Sequence, residues 1–261
     1  MTATPDQIAQ WICESPSTVA FTGAGISTES GIPDFRSPGG VWANSQPVYY
    51  DEFLRSAEAR HEYWRQKAEA HTGFTNAEPN AAHRVLASWE STGILRGVIT
   101  QNIDGMHQLA GSNSVLEVHG TAREVACLQC NARFDADGKI QAFLQHDCPP
   151  NCPKCEGLLK HATISFGQQL DSEVLDQSTN WAQGAALFFA LGSSLVVQPA
   201  AGLPQLAKHS GGRLVIINRD PTPLDHLADA VIHGGLGRTL TAIDEALRSY
   251  RFSTRQGKRA R

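Results

Sequence analysis

The stretch that decides the fold is Val19-Ala20-Phe21-Thr22-Gly23-Ala24-Gly25, an apolar run that stops abruptly at glycines and a small polar residue. Four further apolar runs end in the same way, at 97–99, 187–191, 214–217 and 230–232. Continuous apolar runs of this length, separated by helix-length segments, are typical of parallel strands buried on both faces. The pattern predicts a doubly wound α/β fold whose ligands bind at the carboxyl ends of the strands.

Two insertions interrupt this alternation and predict a small second lobe. Residues 46–89 have apolar side chains at helical spacing, and residues 121–164 hold most of the cysteines. We expect a single domain over residues 1–261, with a large lobe formed by about 5–45, 90–120 and 165–250. Residues 251–261 are basic and contain no acid, and we interpret them as a frayed tail rather than a site for an anionic partner.

The overall composition excludes several classes of partner. The formal net charge is −4, which gives no whole-molecule reason to expect a nucleic-acid partner. No apolar run approaches the roughly 20 residues of a membrane span, and the first residues lack the pattern of a signal peptide. We therefore expect a cytoplasmic monomer that binds no membrane, in which cysteines are metal ligands or free thiols.

The cysteines form two Cys-x-x-Cys knuckles, Cys127 with Cys130 and Cys152 with Cys155. Paired knuckles offer four thiolates, the ligand set of tetrahedral Zn²⁺, and leave no open position for catalysis. The 21 residues between Cys130 and Cys152 slightly exceed the usual separation, which a ribbon insertion accommodates. The spacing predicts one structural zinc ion, although Cys148 offers a different pairing with Cys152.

The glycines that follow the first predicted strand suggest a phosphate site. Gly23, Ala24, Gly25 and Thr28 should open a helix whose backbone N–H groups approach a pyrophosphate. A tight turn that serves only the fold explains Gly-x-Gly equally well, and the missing third glycine argues against an ordinary dehydrogenase. The loop that follows offers an acid, an aromatic ring and a guanidinium, which are groups suited to ribose, nicotinamide and phosphate: Asp34, Phe35 and Arg36.

Several motifs in the same order resemble the sirtuin family. The segment 23–37, GAGISTESGIPDFRS, resembles its first signature, and 100–107, TQNIDGMH, resembles its second. Val118-His119-Gly120, the stretch 192–199 and Ile217-Asn218 resemble the later motifs. The resemblance implies a Rossmann-like domain that binds NAD⁺, with a zinc ribbon and a helical insertion as its small lobe. The helical segment looks closest to the class II branch.

The resemblance also assigns catalytic roles. A lone histidine is usually structural, but His119 follows a predicted strand at the ligand edge, and imidazole titrates near neutral pH. The family motif makes His119 the general base. Asn102 would orient a ribose hydroxyl or water, and Asp104 would accept from the nicotinamide carboxamide, although both residues commonly cap loops. His107 is expected to be structural.

Further contacts are carried over residue by residue. The resemblance implies NAD⁺ contacts by residues at the other strand ends and loops: Trp42, Gln101, Ile103, Gly192, Ser193, Ser194, Asn218, Arg219, Asp220 and Leu236. The substrate peptide would add a strand beside Phe166, Gly167 and Val197. Gln168 stands where family members commonly carry an acid, which puts the charge preference for the peptide in doubt.

The implied reaction removes an acyl group from a protein lysine and consumes NAD⁺, giving nicotinamide and O-acyl-ADP-ribose. The sequence does not identify the acyl chain. Tyr63 is not followed by arginine three residues later, and this disfavours acidic acyl groups. Long-chain or lipoyl removal and protein ADP-ribosyl transfer would use the same NAD⁺ site. A non-catalytic NAD⁺ or ADP-ribose sensor is a third interpretation, against which the joint presence of Asn102, Asp104 and His119 counts.

Overall fold

The computed structural model describes residues 3–34 and 46–259, and the predicted contacts Phe35, Arg36 and Trp42 lie outside these residues. Within them the strands are β1 (Thr18–Thr22), β2 (Gly97–Thr100), β3 (Val115–Glu117), β4 (Gly120–Cys127), β5 (Arg133–Asp135), β6 (Leu159–Thr163), β7 (Leu187–Leu191), β8 (Arg213–Asn218) and β9 (Ala230–His233). The helices are α1 (Pro5–Glu14), α2 (Tyr50–Arg55), α3 (Ala57–Thr75), α4 (Ala81–Ser91), α5 (Met106–Leu109), α6 (Ala136–His146), α7 (Ser172–Gln183), α8 (Gly202–His209) and α9 (Leu236–Arg259).

Six strands form the predicted parallel sheet, in the order β3-β2-β1-β7-β8-β9. Every neighbouring pair is parallel, as in the register Ala20↔Val98 and Ala20↔Phe189. The chain leaves β1 towards one edge and later returns to pair β7 with its other side, so the strand order reverses between these two strands. In open α/β sheets a ligand binds at this reversal, outside the carboxyl ends of the strands.

Helices cover both faces of this sheet, which explains why its strands are apolar throughout. Along β7, Leu187 and Phe189 pack into a core cluster with α1, α4 and α9, whereas Phe188 packs into the opposite cluster with α7 and α8. Burying an apolar side chain of this size stabilises a fold by about 1.5–3 kcal/mol. Because successive side chains of the strand are buried on opposite faces, the strand is held from both sides, and so is its end, which carries part of the predicted site.

The small lobe is an antiparallel sheet, β5-β4-β6, packed against α2, α3 and α6. The chain bends at Ser56, whose hydroxyl accepts from the Ala59 N–H at 3.1 Å and so begins α3. Trp64 and Phe143 are buried in the core of this lobe. The helix α4, which we expected here, instead packs with α1 and α9 in the large lobe, so we place the lobe boundary before residue 81.

Two local expectations are wrong. The glycine loop begins no α-helix but forms two 3₁₀ turns, Ala24–Ile26 and Thr28–Ser30, because Gly31 adopts a φ of 84° and ends the second turn. The segment 251–259, expected to be frayed, continues α9 as far as Arg259. Among the helices of the described residues, none combines the length and the apolar composition needed to cross a bilayer.

Candidate active site

A cavity of about 1040 Å³ opens where the strand order reverses, between the two lobes. It is lined by the ends of β1, β2, β7 and β8 and by the segment after β6. Most of the predicted residues within the described chain lie on its wall: Gly23, Ala24, Gly25, Thr28, Asp34, Gln101, Asn102, Ile103, His119, Phe166, Gly167, Gly192, Ser193, Ser194, Val197, Asn218, Arg219, Asp220 and Leu236. The structure thus brings together residues from segments that lie far apart in the sequence, from Gly23 to Leu236.

Three glycines let the loops after β1 and β7 come together at this point. A Cβ atom on Gly23 would stand 2.8 Å from the carbonyl oxygen of Gly192, and one on Gly25 would stand 2.8 Å from the Gly192 Cα. Gly192 has a φ of +61°, and its own Cβ would stand 2.5 Å from the backbone nitrogen of Ile26. No larger residue fits here without displacing backbone, so the glycines are required for the close packing of these two loops in the cavity wall.

His119 lies in the turn between β3 and β4 and faces the cavity. Its Nδ1 stands 3.0 Å from the carbonyl oxygen of Gln101, which can only accept a hydrogen bond. The proton of the neutral ring is therefore on Nδ1, and Nε2 keeps its lone pair. Burial lowers the pKa of His119 and outweighs the opposing effect of the Gln101 hydrogen bond. The ring is thus neutral at pH 7 and has a free nitrogen to accept a proton.

Asn102 and Asp104 share the hydroxyl of Ser27 as a partner. The Asn102 Nδ2 donates to the Gly23 carbonyl at 3.2 Å and to the Ser27 Oγ at 3.1 Å. The Ser27 hydroxyl donates to Asp104 Oδ2 at 2.6 Å, and the Met106 N–H donates to Asp104 Oδ1 at 2.9 Å. Asn102 lines the cavity, but Asp104 lies beneath its wall with both carboxylate oxygens already engaged. The contact of Asp104 with nicotinamide stays a prediction.

The far end of the cavity carries charged side chains. The Arg219 guanidinium lies 3.9 Å from Asp34 and 3.2 Å from Asp220. Glu29 accepts from the Gly237 N–H at 3.0 Å, at the first turn of α9. Gln101 donates to the Ser193 hydroxyl at 2.7 Å and so joins the loops after β2 and β7. These polar groups surround a space suited to the riboses of a dinucleotide.

Residues 23–199 match the family model of the Sir2 family. The chain belongs to the Sir2 family. It is 46% identical over 237 residues to an NAD-dependent protein deacetylase of Rhodopseudomonas palustris, an alignment that covers 90% of this chain and 94% of that protein. A solved structure of Sir2 with a p53 peptide and NAD⁺ superposes with a TM-score of 0.86 at 36% identity. Another Sir2, with a deacetylated p53 peptide and 3′-O-acetyl ADP ribose, superposes with a TM-score of 0.85 at 36% identity. Each covers 93% of this chain and 98% of the solved chain.

The cysteines of this Sir2 chain form the predicted four-thiolate group. The Cys127 Sγ stands 3.5 Å from that of Cys155, and the Cys130 Sγ stands 3.7 Å from that of Cys152. All four sulfur atoms lie within 4.8 Å of one another. Thiolates about 2.3 Å from a tetrahedral Zn²⁺ stand about 3.8 Å apart, so the group fits a structural zinc ion. Cys148 is exposed and does not belong to this group.

The segment after β6 carries Phe166 and Gly167, which we predicted to contact the substrate peptide. The Ile164 N–H donates to the His119 carbonyl at 2.8 Å, which fixes this segment beside the base. Further on, the Phe166 carbonyl accepts from the Tyr50 N–H at 2.9 Å, and Gly167 turns the chain with a φ of 82°. Gln168, which replaces the acid common in the family, uses its Oε1 to accept from the Ser165 N–H at 3.2 Å. That side chain therefore stabilises the turn.

One face of α3 contributes to the cavity wall and was missed by the sequence reasoning: Tyr63, Gln66, Lys67 and Ala70. These residues recur at i, i+3, i+4 and i+7, which is a signal that they share a helix face. Lys67 lies over the Tyr63 ring at 5.4 Å, and burial lowers the pKa of Lys67 to about 8. Spacing alone does not reveal that this face meets the cavity, because the packing of the small lobe decides it.

Proposed function

We propose that the chain is an NAD-dependent protein-lysine deacylase that acts as a deacetylase. Its substrates would be NAD⁺, an acyl-lysine in a protein and water, and its products nicotinamide, free lysine and O-acyl-ADP-ribose. The names of the relative from Rhodopseudomonas palustris and of the Sir2 structures with NAD⁺ and 3′-O-acetyl ADP ribose support this proposal. Membership of the class II branch stays a prediction.

The observation that carries the proposal is the contact of His119 Nδ1 with the Gln101 carbonyl on the wall of the cavity. Its Nδ1 proton is held by the Gln101 carbonyl, so the neutral ring presents an unprotonated Nε2 to the cavity. A base in this state accepts a proton from a ribose hydroxyl when the ribose lies beside it. Once the acyl oxygen has displaced nicotinamide from the anomeric carbon of that ribose, the hydroxyl oxygen would attack the acyl carbon, and water would then release free lysine and O-acyl-ADP-ribose. His119 thereby performs acid–base work without a protein nucleophile.

The other residues hold the reactants in place. We assign the close-packed glycines Gly23, Gly25 and Gly192 to the phosphates and riboses of NAD⁺, because their backbones approach without a Cβ. Asn102 lies between the glycine loop and His119, where its amide would orient a ribose hydroxyl or a water. Asp104 would act through the Ser27 hydroxyl, which it holds at 2.6 Å.

The acyl-lysine peptide would lie along the segment that follows β6. Phe166 and Val197 both line the cavity, and the exposed backbone at Gly167 would pair with an extended peptide. We also propose that the protein works in the cytoplasm as a monomer. Its thiol-ligated zinc group suits a reducing compartment, in which thiolates persist.

The test is product identification. Purified protein, NAD⁺ and a panel of acyl-lysine peptides, from acetyl to long-chain and lipoyl, are analysed by mass spectrometry. O-Acyl-ADP-ribose formed in amounts equal to the released nicotinamide supports the proposal. An ADP-ribosylated protein without O-acyl-ADP-ribose would instead support transfer, and no NAD⁺ consumption with any peptide would overturn both.

His119→Ala is the matching variant. We expect it to lower the rate of O-acyl-ADP-ribose formation by about 10²–10⁴-fold, the usual contribution of a general base. His209→Ala, at the exposed end of α8, serves as the control and should keep the full rate. An unchanged rate in His119→Ala would show that another group is the base.

A further inference from the structure

Two buried histidines lie behind the wall of the cavity and do not line it. His83, on α4, has no exposed surface, and His107, on α5, is 1% exposed. Their rings meet edge to face, with centroids 4.9 Å apart. Because neither histidine is among the residues that line the cavity, any effect they have on the reaction passes through other residues.

His83 holds one side of the glycine loop through Asn80. The Asn80 N–H donates to the His83 Nδ1 at 3.3 Å, and the Asn80 side chain in turn caps α4. The same side chain donates to the Ile26 carbonyl at 2.7 Å and to the Ser30 hydroxyl at 3.0 Å. Both of these groups belong to the two 3₁₀ turns of the glycine loop. His83 therefore orients the residue that clamps this loop.

His107 holds Asn102 through two threonines. The Thr22 hydroxyl donates to the Thr100 hydroxyl at 2.8 Å, which leaves the Thr22 oxygen to accept from the His107 Nε2–H at 2.9 Å. The Thr100 oxygen accepts from the backbone N–H of Asn102 at 3.0 Å. Asn102 then returns to the glycine loop through the Gly23 carbonyl and the Ser27 hydroxyl. Together, the contacts of six buried residues form what we call the belt, which contacts the glycine loop at both ends: Asn80, His83, His107, Thr22, Thr100 and Asn102.

Both histidines are neutral in this belt. Burial lowers the pKa of His83 to about 4, against an opposing effect of Asp104, and burial together with the neighbouring His83 lowers the pKa of His107 to about 3. Each ring also keeps one buried nitrogen without a hydrogen-bond partner, Nε2 in His83 and Nδ1 in His107. An unpartnered buried polar atom costs stability, while the other nitrogen of each ring serves a buried group, the Asn80 N–H in His83 and the Thr22 hydroxyl in His107. The belt retains the histidines at that cost.

We propose that His83 and His107 are positioning residues that align Asn102 with the glycine loop and thereby set the geometry in which the nicotinamide end of NAD⁺ is held. The proposal rests on the proposed function, because it assigns these residues to the same NAD⁺ site. Asn102 receives its backbone position from the His107 branch, and the loop receives its position from the His83 branch. A displacement of about 1 Å at a reacting centre costs as much as 10²-fold in rate.

Paired substitutions separate a hydrogen-bonding role from simple filling of space. His107→Gln places an amide N–H where the His107 Nε2–H donates to Thr22, whereas His107→Leu removes the donor. His83→Asn keeps an acceptor for the Asn80 N–H, whereas His83→Leu removes it. We expect each Leu variant to lower kcat/KM for NAD⁺ by about tenfold to hundredfold, while the amide variants retain most of the wild-type value. The Kd of an acetyl-lysine peptide, measured without NAD⁺, should stay the same in all four.

The control is His161→Leu, which removes a buried histidine from the small lobe, where the His161 Nδ1 also lacks a hydrogen-bond partner. It should leave the KM for NAD⁺ unchanged, whatever its effect on thermal stability. If the Leu and amide variants at positions 83 and 107 give the same kcat/KM for NAD⁺ as wild type, the histidines only fill space and the proposal is overturned. A wild-type protein that releases no nicotinamide would instead overturn the proposed function.

Discussion

The two lobes hold the same cavity by different means. The large lobe fixes its side with a six-stranded parallel sheet between two apolar clusters, so strand ends that carry Gly23 and Gly192 rest on deeply buried residues. The small lobe has a three-stranded sheet and one smaller cluster, of which Cys127 and Cys152 are themselves members. The large lobe is thus built around two extensive apolar clusters, whereas part of the small-lobe core consists of cysteines that fit a structural metal.

This difference implies that one side of the cavity can lose its structure while the other side keeps it. Loss of the zinc should release the face of α3 and the segment after β6, which contact the small-lobe sheet. The glycine loop and the belt behind it depend on β1, β2 and β7 and should persist. His119 lies at the joint, because β3 belongs to the large sheet and β4 to the small one.

The largest expected effect is therefore that of removing the metal. Cys152→Ser takes one thiolate from the group and should abolish stoichiometric zinc, since free energies of roughly 10–16 kcal/mol are typical for structural zinc sites. We expect loss of peptide binding and of turnover, while far-UV circular dichroism keeps most of the helical signal of the large lobe. Zinc content, peptide Kd and circular dichroism are measured on the same sample.

Cys148→Ser is the matched control, since Cys148 is exposed and lies outside the four-thiolate group. It should retain one zinc per chain and full turnover. Complete unfolding of Cys152→Ser, with loss of the helical signal, would show that the lobes are one cooperative unit. The two lobes would then not be stabilised independently, although the assignment of the four cysteines to zinc would stand.

The same difference explains how much the sequence predicts. Parallel strands are buried on both faces, so runs such as 187–191 are visible as uninterrupted apolar segments, and their carboxyl ends locate the site. Thiolate spacing is equally local and predicts the zinc group. The motif resemblance supplied the roles of His119 and Asn102, which composition and spacing do not contain.

Contacts between segments distant in the sequence escaped prediction. The face of α3 that carries Tyr63 and Lys67 reaches the cavity only through the packing of the small lobe. The glycine loop forms 3₁₀ turns instead of a helix because its end at Gly31 and the clamp by Asn80 decide its path. Such contacts depend on tertiary packing, which a local pattern does not encode.

A second prediction tests whether the large-lobe side of the cavity depends on the close approach of the loops after β1 and β7. Gly192→Ala combines a φ of +61° with a Cβ 2.5 Å from the Ile26 nitrogen, so the loops after β1 and β7 must separate. We expect the KM for NAD⁺ to rise at least about tenfold, with a destabilisation of about 1–3 kcal/mol from the strained backbone. Steady-state kinetics and thermal unfolding measure the two effects.

Gly211→Ala is the control for strain without a clash, because Gly211 has a φ of +94° but no atom within 4 Å of its Cβ position. It should be destabilised by a similar amount and keep the KM for NAD⁺ of the wild type. Equal rises in KM for both variants would mean that general loss of stability, rather than the approach of the two loops, controls NAD⁺ binding.

The smallest expected effect is a shift in the pH dependence of kcat/KM for NAD⁺. It tests the burial of His119, which lies where the two lobes meet. Burial lowers the pKa of His119, so its free Nε2 is protonated only below the ordinary value of about 6.5. Because the base acts when neutral, kcat/KM for NAD⁺ should fall as the pH drops through a midpoint below 6.5 and stay level from there to pH 8. His83 and His107, with pKa values of about 4 and about 3, titrate too low to produce this midpoint. Circular dichroism over the same range separates the titration from acid unfolding. A midpoint at or above 6.5 in a fully folded protein would mean that burial does not control the pKa of His119 in the working enzyme, because solvation returns the pKa to its ordinary value and only a nearby negative charge raises it further.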